Sequence, residues 1–254
     1  MTRRSIYRVR RIIAVLVLAA GLIWAIINNP DSYDFASSPF GELVDDPAEI
    51  ALKETQTESE STKAVDVLES LAVKEKNTSE KYYRKLFYDS WGMTSSGCNI
   101  REAILTRDLS NIQLKGCKVQ SGTLEDPYTG KEINFIRGQG TSEAVQIDHV
   151  VALSNAWSTG AYAFDSEKRY EISQDPLNLI AVDGPANQEK SDGDAATWLP
   201  SNGKFRCQYV ARQISVKYKY HLWVTPAEKL AMQKVLSACP DEPTIGLEKD
   251  ITAQ

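Results

Sequence analysis

The chain has 254 residues, of which 42% are hydrophobic and 25% charged, proportions typical of a globular protein with one sizeable core. Its formal net charge of −5 at pH 7 argues against a generally basic nucleic-acid coat protein. A local basic site stays compatible with this charge, because binding depends on where charges lie rather than on their sum.

Residues 1–30 have the features of a membrane-targeting segment. Five arginines precede an uninterrupted apolar run over residues 12–27. Because basic residues stay cytoplasmic, the rest of the chain is predicted to lie outside the membrane. The run is short for a span of about 20 residues, so a cleaved signal peptide, and hence secretion, is the alternative. No clean small-x-small cleavage site follows, which favours an uncleaved signal anchor and a single-pass membrane protein.

The remainder divides into three parts. Residues 31–61 are polar and acidic, with little to bury, and are predicted to be a linker. Residues 62–240 are predicted to form the folded domain, and residues 241–254 a flexible C-terminal tail.

The chain has four cysteines, namely Cys98, Cys117, Cys207 and Cys239. An even number in an exported chain indicates two disulfides. Pairing neighbours along the sequence gives Cys98–Cys117 and Cys207–Cys239, while spacing alone leaves the other two connectivities open. A zinc site is less favoured, because the sequence has no C-x-x-C pair.

Periodicity and turn residues predict an alternation of helices and strands. In chain order these are helical residues 65–71, an aromatic-rich helix over 82–91, a helix over 101–109, a turn at 126–130, and strands over 133–136, 145–153 and 177–182. A helix is predicted to start at Gly184, with Pro185 in its first turn. Another starts at Thr225, with Glu228 placed for a capping box.

Four residues carry the types of group that phosphodiester hydrolysis needs. His149 has the side chain best suited to take a proton from water near neutral pH. Asp148 offers a carboxylate and Asn187 an amide oxygen, the ligands that a hard divalent cation prefers. Asn178, at the start of the next predicted strand, is expected to orient the imidazole by a hydrogen bond. Asp148 and His149 are adjacent, so the strand end must bend for both to serve one site.

The ordered set of these residues resembles the HNH (His-Me finger) endonucleases. It is closest to exported HNH proteins of actinobacteria related to the C-terminal nuclease domain of the GmrSD restriction enzymes. The matching stretches are Cys98-Asn99-Ile100-Arg101, Asp126-Pro127-Tyr128-Thr129-Gly130, the segment 147–153, Leu177-Asn178-Leu179 and the segment 187–200. The resemblance covers about residues 62–239. It implies an α+β fold with a ββα-metal motif embedded in a mixed helical domain and stapled by disulfides.

The same resemblance implies a role for each residue. His149 is the general base, Asn178 the orienting residue, and Asp148 and Asn187 the metal ligands, with Asn187 standing where the family name expects a histidine. One imidazole used as base and two oxygen ligands make a poor zinc site, so Mg²⁺ is expected, with Mn²⁺ or Ca²⁺ as alternatives.

Three cations are candidates for contacts with the substrate phosphates. Lys190 lies one helical turn from Asn187, Arg101 recurs with Glu102 in the family pattern, and Arg137 lies in the apolar-flanked stretch Phe135-Ile136-Arg137-Gly138. An ion pair between Arg101 and Glu102 is the structural alternative.

These observations predict a metal-dependent endonuclease acting on DNA, or on RNA, outside the cytoplasm. The expected partners are the nucleic acid and the membrane, with no obligate protein partner evident. The alternative is a non-catalytic extracytoplasmic module that binds nucleic acid or a cell-envelope polymer.

Overall fold

A computed structural model of the protein describes residues 62–246. The predicted signal anchor at 1–30, the linker at 31–61 and residues 247–254 of the tail lie outside the described residues. Among residues 62–246, no helix is long and apolar enough to cross a membrane.

The described residues form helices and strands in a mixed order along the chain. The helices are α1 (Ala64–Ser70), α2 (Ile100–Asp108), α3 (Leu153–Ser158), α4 (Ser166–Gln174), α5 (Gly184–Lys190), α6 (Arg206–Lys219) and α7 (Pro226–Leu236). The strands are β1 (Ser110–Lys115), β2 (Lys118–Glu125), β3 (Glu132–Ile136), β4 (Val145–His149) and β5 (Leu179–Asp183). The α+β class predicted from the sequence is confirmed.

Side-chain caps fix the start of several helices, including α2, α5 and α7. Asn99 accepts a hydrogen bond from the Arg101 amide at the start of α2, and Asp183 accepts one from the Ala186 amide at the start of α5. Thr225 begins α7 with the predicted capping box.

The strands form two separate antiparallel sheets. Strands β1, β2 and β3 follow one another in a three-stranded sheet, and β4 pairs with β5 in a two-stranded sheet. In the second sheet Ile147 lies opposite Ala181, and His149 lies opposite Leu179. Helices α3 and α4 are inserted between its two strands, whereas α5 follows β5 directly.

The two-stranded sheet lies between two parts of the core. Ile180 and Val182 pack with residues of α1, α6 and α7. Leu179 and Ala181 point the other way and pack with residues of α2 and the three-stranded sheet. Because both faces of β5 are buried, its register is strongly fixed, and so is the position of whatever side chains lie at its ends.

Both predicted disulfides form, Cys98–Cys117 and Cys207–Cys239, with Cα–Cα distances of 5.5 and 6.4 Å. The first joins the segment before α2 to the turn between β1 and β2, and the second joins the start of α6 to the segment after α7. Since all four sulfurs are bonded in pairs, the zinc alternative is excluded. Each closed loop contributes about 3 kcal/mol to the free energy of unfolding by the chain-entropy relation.

Three sequence predictions need correction. Over residues 82–91 only a short 3-10 turn, Arg84–Leu86, replaces the predicted helix, and the aromatic side chains pack in two separate pairs, Tyr82 with Phe87 and Tyr88 with Trp91, rather than along one helical face. The strand predicted over 145–153 ends at His149, and α3 begins at Leu153. The predicted tail starts too early, since the Thr244 amide donates to the Thr62 carbonyl at 2.9 Å and brings residues after 240 into the domain.

Candidate active site

The end of β4 and the helix α5 enclose a small polar cavity of about 230 Å³. Asp148 and His149 line it from the strand, and Asn187 lines it from the helix. Because α5 follows β5 without a loop, and β5 is in register with β4, the chain places three of the four predicted residues on one cavity. We call it the β4–α5 cavity.

The imidazole of His149 is buried and held in one orientation. Its Nε2 lies 2.9 Å from the Ser173 carbonyl oxygen. A carbonyl only accepts hydrogen bonds, so Nε2 carries the hydrogen and Nδ1 keeps the lone pair. The ring also packs against two aromatic rings, stacked on Trp91 at 6.0 Å and tilted against Tyr88 at 5.9 Å, and these two rings contact each other at 5.3 Å.

Burial is the main cause that lowers the pKa of His149 from 6.5 to about 3. The Ser173 hydrogen bond opposes this shift, while the positive charges of Arg84 and Lys190 add to it. The imidazole is therefore neutral near pH 7, with Nδ1 available to accept a proton.

The carboxylate of Asp148 has two partners inside the protein. The buried hydroxyl of Tyr128 donates a hydrogen bond to it, and the Lys190 ammonium lies 2.9 Å from its Oδ2. Burial raises the pKa of Tyr128 well above its ordinary value, so the phenol stays protonated and acts as a donor. Tyr128 belongs to the Asp-Pro-Tyr-Thr-Gly turn, whose Asp126 also accepts a hydrogen bond from the Asp183 amide at 2.8 Å.

Lys190 does not occupy the position predicted for it. Its side chain is 0% exposed, and its ammonium donates to Asp148 and to the His149 carbonyl oxygen, the latter at 2.9 Å. Its predicted contact with a substrate phosphate is therefore wrong. The ammonium instead neutralises Asp148 from inside the protein, because Lys190 lies on the side of α5 that packs against β4, whereas Gln188 and Glu189 of the same turn are exposed.

Asn178 also has partners other than the predicted one. Its Oδ1 accepts a hydrogen bond from the Val151 amide at 2.8 Å, and its Nδ2 donates to the carbonyls of Val151 and Ile172 at 3.3 and 3.4 Å. The predicted hydrogen bond to the imidazole is replaced by these backbone contacts. Asn178 thus holds both the segment that follows His149 and the end of α4, where Ser173 provides the carbonyl for the imidazole.

The amide group of Asn187 has a defined orientation. Its Nδ2 donates to Gln146 Oε1 at 2.9 Å, so Oδ1 is the atom that can coordinate a cation. The start of α5 also approaches the chain before β4 closely. A β-carbon at Gly184 would lie 2.1 Å from the Glu143 carbonyl oxygen, so this position requires glycine.

The predicted phosphate ligands Arg101 and Arg137 lie elsewhere. They line a separate cavity of about 550 Å³, beside α2 and the turn between β1 and β2. Arg137 donates twice to the Glu102 carboxylate, at 2.6 and 2.7 Å, and Arg101 lies 3.7 Å from the same carboxylate. The ion pair between Arg101 and Glu102 that the sequence suggested is therefore present, although it is longer than the ion pair between Arg137 and Glu102.

The β4–α5 cavity also has polar lining residues outside the predicted site, among them Tyr82, Arg84 and Asp192. Tyr82 and Arg84 enter from the segment before α2, and Asp192 enters from the turn after α5. Arg84 is exposed, and its guanidinium donates to the hydroxyl of Tyr88. The alternation of basic and aromatic residues over 81–88 is a signal that could have drawn attention to this segment, but nothing in it gives proximity to His149.

Comparison with known proteins supplies a family for this arrangement. Residues 95–235, more than half of the chain, match the family of GmrSD restriction endonucleases, C-terminal domain. A protein of Arthroderma benhamiae, described as an uncharacterized secreted protein, is 37% identical over 179 residues, covering 69% of this chain and 84% of the relative. No solved structure matches the chain. The chain therefore belongs to the family of GmrSD restriction endonuclease C-terminal domains.

Proposed function

We propose that the protein is a metal-dependent endonuclease that hydrolyses phosphodiester bonds of DNA or RNA, with His149 as general base. The observation that carries this proposal is that a neutral imidazole, a carboxylate and an amide group line one polar cavity of about 230 Å³. Membership of a restriction-endonuclease family supports the nucleic acid as substrate.

The order of elements around the cavity supports the HNH type. Two antiparallel strands, β4 and β5, are followed by the helix α5, with His149 at the end of the first strand and Asn187 on the helix. We propose that this unit is a ββα-metal motif, in which α3 and α4 are an insertion between the strands.

The donor chemistry of the cavity fits a hard divalent cation. Asp148 offers a carboxylate and Asn187 an amide oxygen, and Mg²⁺ is commonly held by one or two such ligands together with water and substrate phosphate. When bound, the cation neutralises charge that develops on the phosphate and the leaving oxygen. Lys190 already offsets the charge of Asp148 at 2.9 Å. We therefore expect weak cation binding to the free protein and tighter binding once a phosphate adds further negative charge.

His149 is placed to take a proton from the attacking water. The proton goes to Nδ1, while the Nε2 hydrogen bond to the Ser173 carbonyl, 2.9 Å long, holds the ring and stabilises the imidazolium that forms. Proton uptake opposes the burial that lowers the pKa, so the anionic phosphate in the cavity must supply the compensating charge. Arg84, exposed at the same cavity, takes the phosphate-binding role that the buried Lys190 cannot fill.

We propose an extracytoplasmic location for this activity. Two disulfides are typical of an oxidising compartment, and the relative from Arthroderma benhamiae is described as secreted. Both membrane anchoring and secretion remain compatible with this proposal.

The two histidines of the chain allow a matched test. Plasmid DNA and a structured RNA are incubated with Mg²⁺ or Mn²⁺ and the wild-type protein, His149→Ala or His221→Ala, with and without chelator. We expect cleavage that the chelator abolishes, a loss of at least about a hundredfold in His149→Ala, and wild-type rates in His221→Ala, whose side chain is exposed. Salt-sensitive binding with no cleavage by folded protein would instead favour the non-catalytic binding module.

A further inference from the structure

We infer that the cavity of about 550 Å³ beside α2 binds an unpaired nucleotide of the substrate next to the scissile phosphate. We call it the flanking cavity. This inference rests on the proposed function, since it places the nucleotide relative to His149.

Trp91 connects the two cavities. Its ring stacks on the His149 imidazole, with 6.0 Å between ring centroids and 9° between planes, and the same residue lines the flanking cavity. One aromatic side chain therefore separates the general base from the flanking cavity. A polynucleotide with its phosphate at His149 would have its neighbouring nucleotide beside Trp91.

The flanking cavity is positively charged although the protein as a whole is acidic. Four cations line it, namely Arg101, Arg137, Lys115 and Lys118, against the single carboxylate of Glu102, which leaves a local charge of +3. Arg137 is occupied by Glu102, but Lys115 and Lys118 are exposed at the facing ends of β1 and β2. Two adjacent free ammonium groups are suited to contact successive phosphates.

The flanking cavity also has apolar lining residues. Trp91 is half-buried, and Met93 is 64% exposed. An aromatic ring beside such a surface fits the face of a nucleobase, and stacking of this kind is available only to bases that are not paired within a duplex. The combination of apolar wall and cationic rim therefore favours an unpaired strand.

Covalent and hydrogen-bonded links fix the walls of the flanking cavity. The Cys98–Cys117 disulfide joins the segment carrying Met93 to the turn between Lys115 and Lys118. The Glu102 carboxylate accepts a hydrogen bond from the Val119 amide at 2.9 Å, which joins α2 to β2. The segments that carry the cations and the apolar residues are thus joined to one another before any ligand binds, which lowers the entropy cost of binding.

Affinity for oligonucleotides tests the inference directly. Binding of a short fluorescent single strand is measured in chelator as a function of salt for wild type, for Lys115→Glu/Lys118→Glu, and for Lys234→Glu, which reverses an exposed charge on α7. We expect the double variant to raise Kd at least about tenfold and to reduce the slope of log Kd against log salt by about 1.4, at about 0.7 per lost phosphate contact. An unlabelled duplex should compete more weakly than the single strand.

A second measurement separates this inference from the proposed function. Hydrolysis of bis(p-nitrophenyl) phosphate needs the β4–α5 cavity but provides no flanking nucleotide, so the double variant should turn it over at the wild-type rate. Oligonucleotide binding without any hydrolysis by wild type would refute the proposed function and leave the flanking cavity supported as a binding site. The inference would be overturned if the double variant bound the single strand as tightly as Lys234→Glu does, or if duplex competed as well as single strand. It would also be overturned if the double variant lost bis(p-nitrophenyl) phosphate hydrolysis to the same extent as oligonucleotide binding.

Discussion

The ammonium of Lys190 lies 2.9 Å from the carboxylate of Asp148, and the lysine side chain is completely buried. This pair gives a carboxylate with only 8% of its side chain exposed a buried counter-charge at the edge of the β4–α5 cavity. A basic residue near the proposed site could either neutralise the Asp148 carboxylate or contact a substrate phosphate, and Lys190 does the first. Lys190 contacts the carboxylate from within the protein, and in the proposed mechanism the exposed Arg84 contacts the substrate phosphate.

Breaking this ion pair should destabilise the fold strongly. Lys190→Met leaves the Asp148 carboxylate buried without its cation, and we expect the free energy of unfolding to fall by about 3–5 kcal/mol in urea denaturation. Adding Asp148→Asn to the same chain removes the uncompensated charge and should restore part of the loss. Lys234→Met is the control, with little expected change. A loss in Lys190→Met no larger than in this control would contradict the assigned role.

Removing the hydroxyl of Tyr128 should have a smaller effect. Tyr128→Phe deletes one hydrogen bond to Asp148 in a fully buried setting and should cost about 1–3 kcal/mol of stability. The cation concentration needed for half-maximal cleavage should also change, because the carboxylate loses one of its fixed partners. Tyr83→Phe, at an exposed position, is the matched control for both measurements. Unchanged stability and unchanged cation dependence in Tyr128→Phe would show that the hydrogen bond is unimportant.

The burial of His149 should make the free energy of unfolding decrease at acidic pH. Its pKa is lowered from 6.5 to about 3 in the folded protein. Below pH 6.5 the His149 imidazole is protonated in the unfolded chain but stays neutral in the folded protein. The free energy of unfolding therefore decreases as the pH falls, by up to about 1.4 kcal/mol per pH unit. Urea denaturation in chelator from about pH 7 to about pH 4 should therefore show a shallower decline for His149→Asn than for wild type. His221→Asn should keep the wild-type slope, and parallel curves for all three proteins would contradict the buried neutral imidazole.

Asn187 should matter for cation binding more than for folding. Asn187→Ala removes the amide oxygen proposed as a ligand, from a half-buried side chain on a short helix. We expect the cation concentration for half-maximal cleavage to rise about tenfold or more, with stability changed by less than about 1 kcal/mol. Gln188→Ala, at the next and exposed position of α5, should behave as wild type. An unaltered cation requirement in Asn187→Ala would remove Asn187 from the proposed site.

Local signals in the sequence predicted much of the fold. Capping residues fix helix starts through contacts a few residues away, so α7 with its Thr225 cap and α5 with Pro185 in its first turn could be predicted from neighbours alone. Strands β1 and β2 could not, because β1 is almost entirely exposed and β2 buries only Val119, Gly122 and Leu124. Their pairing depends on the turn at Gly116 and on the disulfide, which are not periodic signals.

The candidate site was also predicted only in part. The order of Asp148, His149 and Asn187 along the chain pointed to one cavity, and these residues do line one cavity. The partners of Asn178 and Lys190 could not be predicted, because they depend on which face of α5 and which end of α4 meet β4. Arg84 lies more than 60 residues before His149, and only tertiary packing brings them to the same cavity.

Magnetic resonance with Mn²⁺ tests the central claim most directly, because the chain has only two histidines. A cation held by Asp148 and Asn187 should broaden the ring signals of His149 at Mn²⁺ concentrations that support cleavage, while the exposed His221 keeps sharp signals. The selective broadening should disappear in Asn187→Ala. Equal broadening of both histidines, or sharp His149 signals throughout the titration, would contradict a shared cation at this cavity.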